Sequence, residues 1–119
     1  MGFTSAQRYY LSRSAADMRK SYDGLSGLVR QGLGRDPLSG EVFIFLNRRR
    51  TMIKILVWDR SGFVLWSKRL ERGTFELPGS TEAGASVSLR WEELVMILEG
   101  VSLGSIQRRK RYSREKAAA

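Results

Sequence analysis

The chain has 119 residues, 42% of them apolar, and a formal net charge of +9 from 21 basic against 12 acidic side chains. That length supports one domain with a modest core, and the absence of cysteine excludes disulfides, thiolate metal sites and a cysteine nucleophile. Histidine is absent as well, which removes the commonest general base, metal ligand and partner of a catalytic serine.

The N-terminus lacks the apolar stretch of a secretory signal, and no apolar run reaches bilayer-spanning length, so a soluble cytoplasmic protein without membrane contact is expected. Arg8-Tyr9-Tyr10-Leu11 reads as a first strand. Ser14 or Asp17 then offers a helix cap, and Met18, Tyr22, Leu25 and Val29 recur at helical spacing on one face. Gly24 and Gly27 weaken this helix by about 1 kcal/mol each relative to alanine, so packing must hold it. It is expected to stop near Gly32 to Gly34, ahead of Asp36-Pro37, because the residue before proline resists helical geometry.

Asp36-Pro37-Leu38-Ser39-Gly40 is a turn signal. Val42 to Leu46 is apolar without alternation, which suits a strand covered on both faces. Asn47 to Thr51 forms a triply basic turn, and Met52–Trp58 and Phe63–Ser67 are the next strands. Between them, Asp59-Arg60-Ser61-Gly62 suggests a type I turn with a glycine bulge. Thr74 to Leu77 is a candidate fourth strand, ended by Pro78. Ser88 is a candidate cap for a second helix, with Trp91, Leu94, Val95, Leu98 and Val101 as its apolar stripe and Gly100 or Gly104 as its end. The expected fold is α+β: an antiparallel meander of three to four strands packed with two helices, in one domain over residues 1–105. Residues 106–119 read as a basic, mobile tail.

Charge is unevenly spread. Residues 46–72 carry a net +6 and 102–119 a net +5, while 73–101 carry −4. A clustered basic surface favours a polyanion, nucleic acid first. The expected hairpin register pairs Leu56 with Trp66 and sets Lys54 opposite Lys68, on one face with Trp58 and Trp66. Like charges so placed are unfavourable unless both reach water or an anion sits between them. Arg48, Arg49 and Arg50 with Arg69 and Arg72 would gather at one hairpin end, beside aromatics for base stacking. The tail adds Arg108, Arg109, Lys110 and Arg111 as an electrostatic element. The bland alternatives are that the tryptophans are core and the arginines a solvated turn. No phosphate loop, Rossmann pattern or metal-ligand spacing is present. Asp36, Glu41, Asp59 and Glu71 with Lys54 have no nuclease-like spacing. No catalytic residue, metal, cofactor or small-molecule substrate is expected.

Ala16-Asp17-Met18-Arg19-Lys20-Ser21-Tyr22-Asp23-Gly24-Leu25 resembles the DMRK-x-x-DGL signature of the TnpB-type accessory proteins of insertion sequences of the sixty-six type, which are distinct from the RNA-guided nuclease sharing that name. Asp36-Pro37 with Ser39-Gly40, Lys54-Ile55-Leu56 with Trp58-Asp59, Gly62-Phe63, Lys68-Arg69-Leu70-Glu71 with Gly73 and Phe75, and Leu94 to Gly100 are similar to it in the same order. The chain departs at Ala16, where the family tends to have threonine, and beyond Leu103. Within the first motif, Arg19 and Asp23 stand at ion-pair spacing on a helix. The resemblance implies a bacterial mobile-element protein that assists a separate transposase and supplies no catalytic residues. The expected function is a non-enzymatic accessory factor in transposition, binding DNA or the transposase–DNA complex through the basic hairpin. The alternative is a module that docks to the transposase without touching DNA.

Overall fold

The computed structural model describes residues 3–77, 79 and 83–99. Its strands are β1 (Tyr9–Ser12), β2 (Val42–Leu46), β3 (Met52–Asp59), β4 (Gly62–Arg69) and β5 (Ser86–Leu89). Its helices are α1 (Tyr22–Gly27), prolonged by a π-helical turn over Leu28–Gly32, and α2 (Trp91–Leu98). The α+β class with two helices holds, but the sheet is not a simple meander. It has five strands in the order β4-β3-β2-β1-β5. β2, β3 and β4 are antiparallel neighbours, whereas β1 lies parallel to β2 and antiparallel to β5. A parallel pair needs a long crossover, and α1 supplies it.

Two buried clusters form on opposite faces of this sheet. Val42, Ile44, Leu46, Ile53, Ile55 and Val57 point to one face, where Leu94 and Ile97 of α2 cover them. Phe43, Phe45, Leu56 and Tyr10 point to the other, under Leu25 and Val29 of α1. Strand side chains alternate between faces, so a strand covered on both sides must be apolar throughout. β2 is buried at all five positions, as its unbroken apolar run implies.

The first helix begins later than its apolar spacing suggests. Residues 17–20 form a turn, with the Lys20 amide donating to the Asp17 carbonyl at 3.1 Å. Arg19 therefore grips Asp17, not Asp23, with Nη2 donating to Oδ2 at 2.8 Å and the Arg19 amide donating to Oδ1 at 2.9 Å. Those hydrogen bonds hold the Asp17 carboxyl down to about 2. Neither Ser14 nor Asp17 caps the helix; Ser21 stands at the cap position without a side-chain bond. The end falls where expected. The Leu33 amide donates to the Leu28 carbonyl and the Arg35 amide to the Val29 carbonyl, both at 3.0 Å, with Gly34 at φ 64°. Glycine adopts that left-handed geometry without steric cost.

Later segments depart further. Thr74 to Leu77 is not a strand, although Phe75 is buried there. Ser88 lies inside β5, and Arg90 precedes α2 in its place. The Glu93 carboxylate accepts from the Arg90 amide at 2.9 Å, which occupies the N3 half of a capping box. A guanidinium only donates, so the reciprocal half cannot form. Pro78, Gly100, Val101, Gly104 and the 106–119 tail lie outside the described residues.

Tyr9 offers a check on this core. Its ring is buried at 1% exposure, and its hydroxyl donates to the Thr4 carbonyl at 2.6 Å. Burial disfavours the phenolate and raises its pKa above 10.0. Folding therefore favours the protonated form: its stabilisation is complete below pH 10 and is lost as pH climbs through the raised folded value. Tyrosinate absorbance during alkaline titration should include a late step, and Tyr9→Phe should remove it.

Candidate nucleic-acid interface

The chain gathers arginines at one pole of the sheet. β1 and β2 run parallel and end together, β3 starts there and β4 ends there. Arg13 follows β1, Arg48 to Arg50 lie in the β2–β3 turn, and Arg69 and Arg72 lie at and beyond the end of β4. An open groove of about 310 Å³ runs across this pole, lined by Ser12, Arg13, Ser14, Asn47, Arg48 and Arg50 among others.

Asn47 builds the turn. Its Oδ1 accepts from the Thr51 and Met52 amides at 2.9 and 3.0 Å, and its Nδ2 donates to the Thr51 hydroxyl at 3.0 Å. The Arg50 amide closes back on the Asn47 carbonyl at 3.0 Å. Asparagine suits this role because its short amide can bond to backbone a few residues on. Arg50 adopts φ 57°, a left-handed conformation that is costly for a residue carrying a Cβ. The strand ladder and the Phe75 amide, which donates to the Arg50 carbonyl at 2.7 Å, hold it there. Arg48, Arg49 and Arg50 are exposed on this braced turn. Among the described residues, no carboxylate pairs with any of the three. Arg69 does reach Glu71, at 3.3 Å, but that pair is exposed and weak.

The two lysines behave differently. Asp59 pairs with Gly62, Trp58 with Phe63, Leu56 with Leu65 and Lys54 with Ser67. The register is thus one residue from the expected one. The cause is the turn, which has only two loop residues and puts the positive φ on Arg60, at 50°, not on Gly62. A one-residue slip turns every side chain of one strand to the other face. Lys54 and Trp58 consequently lie on the α1 face, and Lys68 and Trp66 on the α2 face. Lys54 and Lys68 therefore do not face each other across the hairpin.

Each lysine instead ties a helix segment to the sheet. Lys54 Nζ donates to the Lys20 carbonyl at 2.8 Å, just before α1. Lys68 Nζ donates to the Leu98 carbonyl at 2.6 Å, at the last residue of α2. A cation there answers the unpaired carbonyls and the negative end of the helix dipole. Lys68→Met should therefore lower stability by about 1–2 kcal/mol in urea denaturation. It should leave any salt dependence of ligand binding unchanged. The tryptophans do not form a platform beside the arginines either. Trp66 packs against the α2-side core, and Trp58 meets Phe63 edge-on at 5.1 Å near the opposite pole.

The arginine triplet is legible in the sequence as a basic turn, whereas Arg13 and Asn47 do not stand out there. Asn47 opening a turn is a usable signal; Arg13 enters only through the parallel placement of β1. Arg108, Arg109, Lys110 and Arg111 lie outside the described residues. The four carboxylates Asp36, Glu41, Asp59 and Glu71 do not converge, since Asp59 and Glu71 stand at opposite ends of the β3–β4 hairpin. No group of three or more acidic side chains among the described residues could hold a metal ion. No helix among them is long and apolar enough to cross a membrane.

The sequence profile of the family described as IS66 Orf2 like protein matches residues 7–108. Two proteins of Sinorhizobium fredii, both named only as uncharacterized, are similar along most of their length. One, y4jC, is 28% identical over 109 residues, covering 92% of each chain. The other, y4hO, is 33% identical over 94 residues, covering 79% of this chain and 80% of its own. No solved structure matches. A profile spanning nearly the whole described fold, together with these similarities along most of each chain, leaves one assignment: the chain belongs to the IS66 Orf2-like family of insertion-sequence accessory proteins, which is not a known enzyme family.

Proposed function

We propose that this protein is a non-enzymatic factor in transposition that holds DNA, alone or within the transposase–DNA complex, against its arginine pole. The observation that carries the reading is the braced β2–β3 turn, which presents Arg48, Arg49 and Arg50 to solvent beside Arg13 and the groove. A rigid turn loses little freedom on binding, so its cations can neutralise phosphates without first being ordered. Arg69 and Arg72 enlarge the basic surface, and Arg108, Arg109, Lys110 and Arg111 add to the chain's net positive charge. Lys54 and Lys68 take no part in it, because their ammonium groups hold backbone carbonyls.

The test is a gel-shift and salt series with the full chain, comparing duplexes carrying the element's terminal repeats with random duplexes. Binding that weakens steeply with salt supports the reading; no shift at low salt overturns it. Docking to the transposase without DNA contact draws on the exposed large apolar residues Tyr22, Leu38 and Trp91, at 47%, 44% and 36% exposure. Co-purification with the transposase that survives nuclease treatment, combined with no DNA shift, would favour that alternative.

A further inference from the structure

We propose that β4 pairs with β4 of a second copy of this chain, joining two five-stranded sheets into one. β4 is an edge strand of eight residues, and among the described residues nothing pairs with its outer side. Such an edge offers unpaired N–H and C=O groups, and proteins ordinarily blunt it with proline, a bulge or a charge in mid-strand. β4 has none of these across Phe63-Val64-Leu65-Trp66, four apolar residues that are each only half-buried. The other edge, β5, has four residues, two of them serine.

The ladder with β3 fixes which groups face outward. In a two-residue hairpin the closing pair, here Asp59–Gly62, is hydrogen-bonded, and the two pair types alternate from there. Gly62, Val64, Trp66 and Lys68 thus spend their backbone groups on β3. Phe63, Leu65, Ser67 and Arg69 turn theirs out. A two-fold axis normal to the sheet through Leu65 sets Leu65 against its own copy and Phe63 against Ser67, each with outward groups to exchange. It covers the apolar stretch with itself and places Lys68 beside Gly62 and Arg69 beside Ser61. In a parallel pair a residue with outward backbone groups lies opposite one whose groups point away, so two β4 edges would meet offset by an odd number of residues, which no two-fold axis along the strand produces. The ladder therefore selects the antiparallel two-fold arrangement, in which the edge is complementary to itself and the partner is a second copy. That symmetry closes on itself, whereas β4-to-β5 pairing would run on as a fibre.

Sedimentation equilibrium of the full chain, over a range from low micromolar to about a millimolar, tests this. The mass should rise with concentration from 13.5 kDa towards about twice that value. Ser67→Pro removes an outward N–H without breaking a bond to β3, and exposed Ser67 carries no core packing. It should stay monomeric throughout, with an unchanged circular dichroism spectrum. If that variant fails to fold, Ser67→Lys is the substitute, because it sets a charge against Phe63 of the facing strand. A monomeric wild type across the range overturns the proposal. So does an equal rise in mass for wild type and the folded variant, since association would then use another surface.

Discussion

Replacing Arg48, Arg49 and Arg50 together by glutamine is expected to cost roughly tenfold or more in affinity for duplex DNA near 0.1 M salt. The slope of log affinity against log salt should fall by about 3, close to one unit for each phosphate no longer neutralised. The arginine side chains are exposed and make no carboxylate pair among the described residues, so stability should hardly move. The turn itself survives, because Asn47 and the backbone make its bonds. Lys54→Met and Lys68→Met form the opposite control: each should lower stability and leave the slope alone. A triple variant that binds with wild-type affinity and slope would show that the pole does not touch DNA. Loss of binding in the lysine variants but not the arginine variant would move the binding surface to the sheet.

Phe75→Ala is expected to be among the most destabilising single changes, at about 3–5 kcal/mol. Its ring is buried to 1% exposure on the α2 side of the sheet, although it belongs to no strand. Removing it leaves a cavity that the ladder cannot close by shifting, because Phe75 is held at its amide by the Arg50 carbonyl. A small domain has about 5–15 kcal/mol in hand, so such a loss would take a large share of it. Chemical denaturation of the variant against wild type measures this, with Leu38→Ala at an exposed position as the comparison expected to stay within about 0.5 kcal/mol. A loss below about 1 kcal/mol for Phe75→Ala would mean that the segment after β4 is only loosely applied to the core. The same variant should also weaken DNA binding, because it loosens the partner that holds Arg50 in its left-handed conformation.

Local pattern reveals much of this architecture, and its failures have physical causes. β2, β3 and β4 are legible because apolar runs between turn residues leave few alternatives. The hairpin register is not. Glycine is the residue expected at a positive φ, yet here Arg60 takes it and Gly62 joins the strand. That single choice moves Lys68 and Trp66 to the other face and dissolves the lysine pair. Met18 at helical spacing from Tyr22 suggests a longer α1, but Asp17 and Arg19 close a local fork that competes with helix formation. β5 escapes notice because Ser-Val-Ser-Leu is short and serine reads as a cap. At the arginine pole, the triplet is visible from sequence alone. Arg13 is not, since its place depends on β1 lying parallel to β2, a non-local fact.

That place of β1 also sets the order in which the molecule can be made. Tyr9 and Leu11 belong to the first of the five strands in chain order, but their parallel partners are Val42 and Ile44. Their antiparallel partners, Leu89 and Val87, come later still. Each closure spans a long stretch of chain, and the cost of drawing its ends together rises with that span. Until translation reaches β5, one side of β1 has no backbone groups to meet. The β2–β3–β4 meander, whose pairings are close in sequence, has no such wait. Of the five described strands, the one synthesised first is the last to be paired on both sides.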